Sequence, residues 1–306
     1  MGILKKLKNA WRKNIPEVVA WSNGGLPDFV TAIRPSEPLG GVPVFCYHMV
    51  EAETFEADLH FLKSNGYRTL SAAELVSYLR GSLMIDDRAV VLTFDDGPRN
   101  FYDVAFPLLQ QYAAKAVAFI APGLHADAGK GDDVEARPMN WKEIQIINAS
   151  GLVEFQSHTL ESRYIPSWPM PVPLAGCDPV IEASRRQAPL PFDQDIAASC
   201  SEIAAHLPNV GVQHLAFPMY MGSETAVNMA RGLGFVACYW GLLTGRSLNR
   251  PGDSPFHICR ISDEFVRRLP GVSRIGWAQM LRERMHRAQL GRQWRQRYGE
   301  LPTNIH

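Results

Sequence analysis

The sequence predicts an α/β fold built on a parallel sheet, and three observations carry that expectation. Short apolar runs alternate with helix-length segments from residue 42 to residue 262. Several of those runs are apolar throughout rather than at every second position, as in strands covered on both faces. Polar residues able to do chemistry gather where the runs end, which is where parallel α/β folds build their sites. Alternation of this kind leaves two architectures, an open doubly wound sheet or a closed barrel. The chain has 306 residues, of which 46% are hydrophobic and 20% charged, an ordinary globular composition for one large domain.

The elements follow in order. Ile3, Leu4, Leu7 and Trp11 recur at helical spacing among lysines and arginines, giving a short basic amphipathic helix that stops before Pro16. Residues 22–41, rich in Gly and Pro, read as a connecting arm. "VPVFCYH" (42–48) is a strand, and 54–66 is a helix with Phe55, Leu59 and Leu62 inward and Gly66 as its stop. Ser71 and Glu74 form a capping box for the next helix. "AVVLTF" (89–94) is a strand, "NFYDVAFPLLQQYA" a helix containing Pro107, and "AVAFIAP" (116–122) a strand. Asn140 and Glu143 cap a helix that Gly151 ends, and "LVEFQ" (152–156) is the strand after it. Helix 193–207, strand 214–218, helix 223–234, strand 235–240 and a strand in "FHICRI" (256–261) complete about seven strands. One stretch breaks the rhythm. Residues 163–192 hold seven prolines with Tyr164 and Trp168, and read either as a lid over a site or as a packing loop.

Composition excludes several classes. No Gly-x-Gly-x-x-Gly follows a strand and no Walker-type loop occurs, so nucleotide folds lose support. The five cysteines are odd in number and widely spaced with no C-x-x-C, which supports neither a disulfide framework nor a zinc-thiolate knuckle. Cys46, Cys238 and Cys259 sit in apolar runs as buried free thiols, which suits a reducing compartment. The N-terminal stretch lacks the apolar core of a signal peptide, and no run approaches the ~18 apolar residues of a membrane span. The expectation is a cytoplasmic protein, soluble or peripheral at the inner membrane. Net charge is zero but uneven. Residues 1–13 carry five basic and no acidic residues, and 274–306 carry seven arginines against Glu283 and Glu300. Basic ends on an acidic body point to an anionic partner such as a membrane surface, or to two solvated helix faces. No basic-aromatic module of the nucleic-acid binders is present, so no nucleic-acid partner is expected.

The chemistry concentrates at strand ends. His48 ends the first strand, Asp95-Asp96 end the 89–94 run, His125 lies just past 116–122, His158-Thr159 follow 152–156, and Pro218-Met219-Tyr220 follow 214–218. Neighbouring side chains on an extended segment point to opposite sides. Asp95 and Asp96 therefore need not share one role: one can ligate a metal while the other faces a water on it. A divalent ion would offset the repulsion between the two carboxylates. Taken alone, Asp-Asp-Gly-Pro also reads as a turn.

"TFDDG" (93–97) resembles the first motif of the polysaccharide deacetylases, carbohydrate esterase family 4, and "SHTLES" (157–162) resembles their second, H-[ST]-x-x-H. "AFPMY" (216–220) is similar to a degenerate third motif, and "VPVFCYHMV" with "FLKSNGYRTLS" to the entry strand and helix of bacterial members. The resemblance spans residues 42–262. It implies a distorted (β/α) barrel of seven or eight units and hydrolysis of acyl groups on sugars with one divalent metal, often zinc. It casts Asp95 as general base, Asp96 and His158 as metal ligands, and the backbone around Met219-Tyr220 as an oxyanion donor. Ser162 stands where the motif has a second histidine. Glu161, His48, His125, Ser162 itself or water are the candidates to complete the shell, and His257 is the candidate general acid. Arg260 is a candidate partner for a site carboxylate. On this reading residues 1–41 are a basic helix and arm, 42–270 the barrel, and 271–306 an Arg-rich helix. The implied function is removal of an N-acetyl or N-formyl group from an amino sugar in envelope polysaccharide or glycolipid biosynthesis, on a sugar that is lipid- or nucleotide-linked. The alternative is a silent relative that binds sugar or acts as a scaffold, which Ser162 favours.

Overall fold

The computed structural model describes residues 25–125, 138–162, 190–220, 222–243, 246 and 248–286. The predicted N-terminal helix, residues 163–189 of the proline-rich stretch and the chain after 286 lie outside the described residues.

Seven strands form the main sheet: β1 (Val44–Tyr47), β3 (Ala89–Asp96), β4 (Ala116–Ile120), β5 (Val153–Ser157), β6 (His214–Ala216), β7 (Ala237–Tyr239) and β8 (Ile261–Ser262). A two-residue β2 (Arg68–Thr69), which no apolar run announces, pairs with the start of β3. All pairings are parallel, in the order β7-β6-β5-β4-β3-β1-β8. The sheet curls until its edges meet: Ile258 bridges to Tyr239 of β7, while Ile261 three residues on pairs with Phe45 of β1. The result is a distorted barrel, which decides between the two architectures open to the sequence. The last strand starts later than expected, because Pro255–His257 form a 3₁₀ turn and pairing begins only at Ile258.

Strand alternation separates two cores. Val91 packs inside the barrel with Val117, Phe119, Ala216, Tyr239 and Ile258. Val90, Leu92 and Phe94 face outward, against helices α2 (Ala52–Ser64) and α4 (Phe106–Tyr112). Helix α3 (Ala72–Leu79) adds Leu75, Val76 and Leu79 to the inner cluster and fills the end of the barrel where the strands begin. The mouth, where the strands end, keeps the polar residues.

Both expected capping boxes form. The Ser71 hydroxyl accepts from the Glu74 amide at 3.1 Å while Glu74 accepts from the Ser71 amide at 2.7 Å. Asn140 and Glu143 do the same at 2.9 and 2.8 Å at the start of α5 (Trp141–Ala149). The Pro107 segment departs from a plain helix. Proline has no N–H to offer the carbonyl one turn back, and residues Phe101–Ala105 widen into a π-helical turn in which the Phe106 amide donates to the Phe101 carbonyl. The remaining helices are α6 (Phe192–His206), α7 (Glu224–Gly232) and a stretch at 277–286. The arm is not a plain connector. Its short helix α1 (Asp28–Thr31) buries Phe29 and Val30 against the outer face of the barrel, with the Phe29 ring edge-on to Phe45.

Candidate active site

β3 explains why a buried strand ends in two carboxylates. Ala89, Val91, Thr93 and Asp95 share the inward parity, so Asp95 enters the barrel at its mouth and is 1% exposed. By the same parity Asp96 would face outward. Its backbone instead turns into the left-handed region at φ 71°, and Gly97 follows at φ 67°. The turn brings the Asp96 carboxylate back over the strand end. Adjacent residues are thus delivered to two halves of one site.

The first half is a buried carboxylate held by an arginine. Asp95 Oδ1 accepts from Arg260 Nη1 at 2.6 Å, a fully buried ion pair. Arg260 is fixed in turn by donating from Nε to the Trp240 carbonyl at 3.0 Å, and its guanidinium lies 5.3 Å from the centre of the Tyr220 ring. Burial alone would push the Asp95 carboxyl up. The Arg260 charge outweighs burial and holds it down to about 2. Asp95 Oδ2 remains, with the Cys46 thiol 3.5 Å away as a weak donor. Burial raises that thiol far above its ordinary range, so Cys46 stays protonated. Its place in the site was missed, because one cysteine in an apolar run carries no signal.

The second half is a donor set. His158 Nδ1 lies 2.9 Å from the Ala216 carbonyl, which can only accept, so the proton sits on Nδ1 and the lone pair of Nε2 points into the mouth. There it faces Asp96 Oδ1 at 3.6 Å and Asp95 Oδ2 at 4.0 Å. The Ser162 hydroxyl is 3.4 Å from Asp96 Oδ1. An imidazole nitrogen and a carboxylate turned toward each other can share a proton or hold a cation between them, so the donor types of this set suit a divalent cation. The set is short by the usual count of three nitrogen, sulfur or carboxylate ligands, and among the described residues no group of three His, Cys, Asp or Glu side chains is arranged as metal ligands.

The other expected residues fall as follows. His48 stands on the exposed lip beside Tyr220, whose hydroxyl is 3.4 Å from Nε2, so it joins the Asp95 half and not the Asp96–His158 pair. Glu161 has its Cγ against Gly123 and forms no ligand cluster with Asp96 and His158. The Tyr220 amide already donates to the Phe217 carbonyl at 3.1 Å, so that N–H is not an oxyanion donor, and Tyr220 contributes its ring and hydroxyl instead. His257 is not brought to the mouth. It lies in the turn before β8, outside the wall, stacked on Trp240 with Nε2 2.6 Å from Glu224 of α7. His125 stands behind the Asp96–Gly97 turn, its imidazole edge against Gly97 and its Nδ1 2.7 Å from the Met139 carbonyl, and burial pulls it down to about 4, which keeps it neutral. Among the described residues, four of the six non-glycine residues with positive φ are Asp96, Thr159, Ser162 and Tyr220. Such backbone concentrates where function over-determines geometry.

Fold and site together define a class: a parallel α/β barrel carrying a buried, arginine-paired carboxylate beside a histidine–carboxylate pair at its mouth. The chain belongs to the polysaccharide deacetylase family, whose family model matches residues 85–238, just over half of the sequence. It is 34% identical over 148 residues to the poly-β-1,6-N-acetyl-D-glucosamine N-deacetylase of Escherichia coli K12, a match covering 42% of this chain and 22% of that protein. It is 29% identical over 112 residues to the enzyme of the same name from Staphylococcus aureus MSSA476, covering 37% of each. The chain thus spans only about a fifth to somewhat over a third of these relatives. Among solved structures, IcaB from Ammonifex degensii superposes with a TM-score of 0.59 at 26% identity, over 73% of this chain and 91% of that one. A de-N-acetylase from Aggregatibacter actinomycetemcomitans shares the fold, with a TM-score of 0.58 at 20% identity over 76% of this chain and 97% of that one.

Proposed function

We propose that this protein removes the N-acetyl group from an amino sugar within a polysaccharide, with a divalent cation, zinc being the first candidate, held by Asp96 and His158 beside the Ser162 hydroxyl. The observation that carries the reading is the division of labour at the end of β3: Asp95 is pinned to Arg260 through one oxygen and open through the other, while Asp96 faces the His158 lone pair. The names of the bacterial relatives support an N-acetylglucosamine polymer as the substrate class.

On this reading the steps on the protein side are as follows. Asp95 Oδ2 takes the proton of the attacking water. A carboxyl held down to about 2 is always ionised near neutrality but is a weak base. Acidifying that water and polarising the acyl oxygen is the chemistry a bound divalent cation supplies. Arg260 keeps Asp95 oriented and anionic. Tyr220 and His48 form the opposite lip, where His48 is placed to hand a proton to the departing nitrogen. The Ala216 carbonyl orients the His158 ring, so Nε2 faces the site.

The test is metal content of the purified full chain together with acetate release from N-acetylglucosamine oligomers, with lipid-linked and nucleotide-linked amino sugars as further substrates. Bound metal and release from the oligomers uphold the reading. One observation favours a second reading: Ser162 in place of a histidine leaves the donor set short, as in a relative that binds sugar without turning it over. No metal and no release in wild type, with both gained in Ser162→His, would establish that alternative.

A further inference from the structure

The strained turn that delivers Asp96 is braced from behind. The Gly97 amide donates to the Asp95 carbonyl at 2.9 Å. With Asp96 at φ 71° between them, this is a γ-turn of the rare, strained hand. Three contacts close around its far side. The Met139 amide donates to the Gly97 carbonyl at 3.0 Å, beside the antiparallel bridge between Pro98 and Pro138. The Met139 carbonyl faces His125 Nδ1 at 2.7 Å. A carbonyl only accepts, so the imidazole donates. The imidazole edge then lies on Gly97: a Cβ built there would stand 2.8 Å from His125 Cε1 and 3.0 Å from Nε2. Gly97, Met139 and His125 thus form a closed bracket.

The bracket reaches the other donor as well. That same Cβ would stand 2.9 Å from Ile120 Cγ2, so His125 and Ile120 close on the same side of Gly97. The Ile120 carbonyl accepts from the His158 amide at 2.8 Å. One imidazole edge therefore bears on the residue after Asp96, next to the residue that anchors His158. The imidazole makes its hydrogen bond to Met139 and none to Asp96 or His158. Packing alone does not call for a histidine here. An apolar side chain would fill the space at no polar cost, whereas His125 is 7% exposed and its Nε2 has no hydrogen-bond partner. A bare buried acceptor is unfavourable. What the imidazole supplies in return is the Nδ1 hydrogen bond to Met139, the link of the bracket that an apolar residue could not make.

We infer that His125 is a positioning residue for the Asp96–His158 pair: it holds Asp96 in the γ-turn that returns its carboxylate to His158, acting through Gly97 and Met139 and not as a ligand. The inference rests on the reading that Asp96 and His158 hold the cation. A non-glycine residue stays in such a turn only while its surroundings over-determine it. Released, Asp96 relaxes toward extended backbone, and strand parity then turns its carboxylate outward, away from His158. The consequence differs from that of a lost ligand. All the donor atoms remain, and the cation binds more weakly instead of not at all. Partners one step behind the ligands typically carry roughly 10–100-fold in metal affinity.

The test compares His125→Leu with His125→Asn in the full chain. Leucine is close to histidine in volume and cannot donate. Asparagine is smaller, but its amide can donate to the Met139 carbonyl from the place of Nδ1. Zinc affinity is read by competition with a chromogenic chelator, and crystals grown without metal give φ at Asp96 and its distance from His158. His125→Leu weakens zinc binding by roughly tenfold or more and lengthens the Asp96–His158 separation in the metal-free crystal; His125→Asn recovers part of both. A packing role gives the reverse order, with leucine near wild type and asparagine worse, and that order overturns the proposal. So does a wild-type φ at Asp96 in metal-free His125→Leu. If the leucine variant does not fold, His125→Gln, whose amide reaches the place of Nε2 instead, takes its part in the comparison. Wild type that binds no zinc defeats the proposed reaction, and the metal-free crystals still decide the role of His125.

Discussion

Replacing Arg260 with methionine removes the charge that sets the acid–base half of the site while keeping much of the side chain's volume. Two unit charges ~4 Å apart at an effective dielectric of ~20 attract by ~4 kcal/mol, and an opposite charge at this range typically lowers a carboxyl by about 1–3 pH units. In wild type the Asp95 carboxyl lies at about 2, below the ~3.9 of an unfolded chain. Its pairing therefore stabilises the fold at pH values above the unfolded value, and that contribution is lost as pH falls through about 2. In Arg260→Met the lowering charge is gone and burial, which raises the carboxyl, remains. The acid limb of kcat/KM for acetate release climbs to roughly pH 4–5, where wild type shows no Asp95 limb. The same variant loses about 3–5 kcal/mol of stability at neutral pH, because a buried carboxylate is left unpaired. Urea unfolding reads that loss. Arg260→Lys is the control: it keeps the charge without the fork that serves both Asp95 and the Trp240 carbonyl, so its limb stays nearer that of wild type while its stability still falls. A folded Arg260→Met protein whose acid limb has not moved would refute the assignment of Asp95 as the base held by Arg260.

Asp95→Asn keeps the shape of the strand end but cannot take a proton; acetate release falls by roughly 10²–10⁴-fold while metal content measured by emission spectrometry is retained. Ser162→His supplies a third nitrogen or carboxylate ligand, and the fraction of zinc surviving dialysis against a weak chelator rises; an unchanged fraction would show that residue 162 does not face the cation. In Gly241→Ala the new Cβ falls 2.7 Å from Tyr220 Cβ, so Tyr220 must move, and kcat/KM drops by about tenfold or more with metal content unchanged. Ser71→Ala removes the cap of α3, at the end of the barrel where the strands begin, and costs about 0.5–2 kcal/mol in denaturant unfolding, with acetate release at the wild-type rate.

How far the sequence speaks depends on whether a feature is local. Capping boxes are local, and both formed where Ser71-Glu74 and Asn140-Glu143 place them. Continuous apolar runs are local too, and they located the seven main strands to within a few residues. β2 escaped because two residues have no periodicity, and α1 escaped because Gly and Pro around it mask a helix that only tertiary contact with Phe45 and Arg268 sustains. The π-helical turn at Phe101–Ala105 follows from Pro107, but the sequence does not say which carbonyl will rearrange around a missing N–H. Closure of the barrel was legible only through the family resemblance and not through periodicity, since it rests on Ile258 and Ile261 meeting strands far apart in the chain.

The site divides along the same line. Asp95, Asp96 and His158 could be read because strand ends in a parallel fold converge, so a polar residue at such an end is already placed. Tyr220 and His48 converge for the same reason, but their roles could not be read, because role depends on what each atom touches. The Tyr220 amide is committed to a backbone carbonyl, and His48 faces a hydroxyl across the lip. His257 misled because it precedes a strand rather than ending one, and a residue before a strand sits at the wall's outer edge. Arg260, three positions later, stands between the Ile258 bridge and β8 with the inward parity of Ile258, and its long side chain crosses the barrel to reach Asp95 at 2.6 Å. The two aspartates make the point most sharply. Parity alone would send Asp96 outward, away from His158, and the donor set would not exist. It exists because the backbone accepts φ 71° at Asp96 and φ 53° at Ser162, conformations that cost of order 1–3 kcal/mol each for non-glycine residues. A sequence lists the atoms that can bind a cation; whether they meet depends here on two strained residues, held by the fold around them.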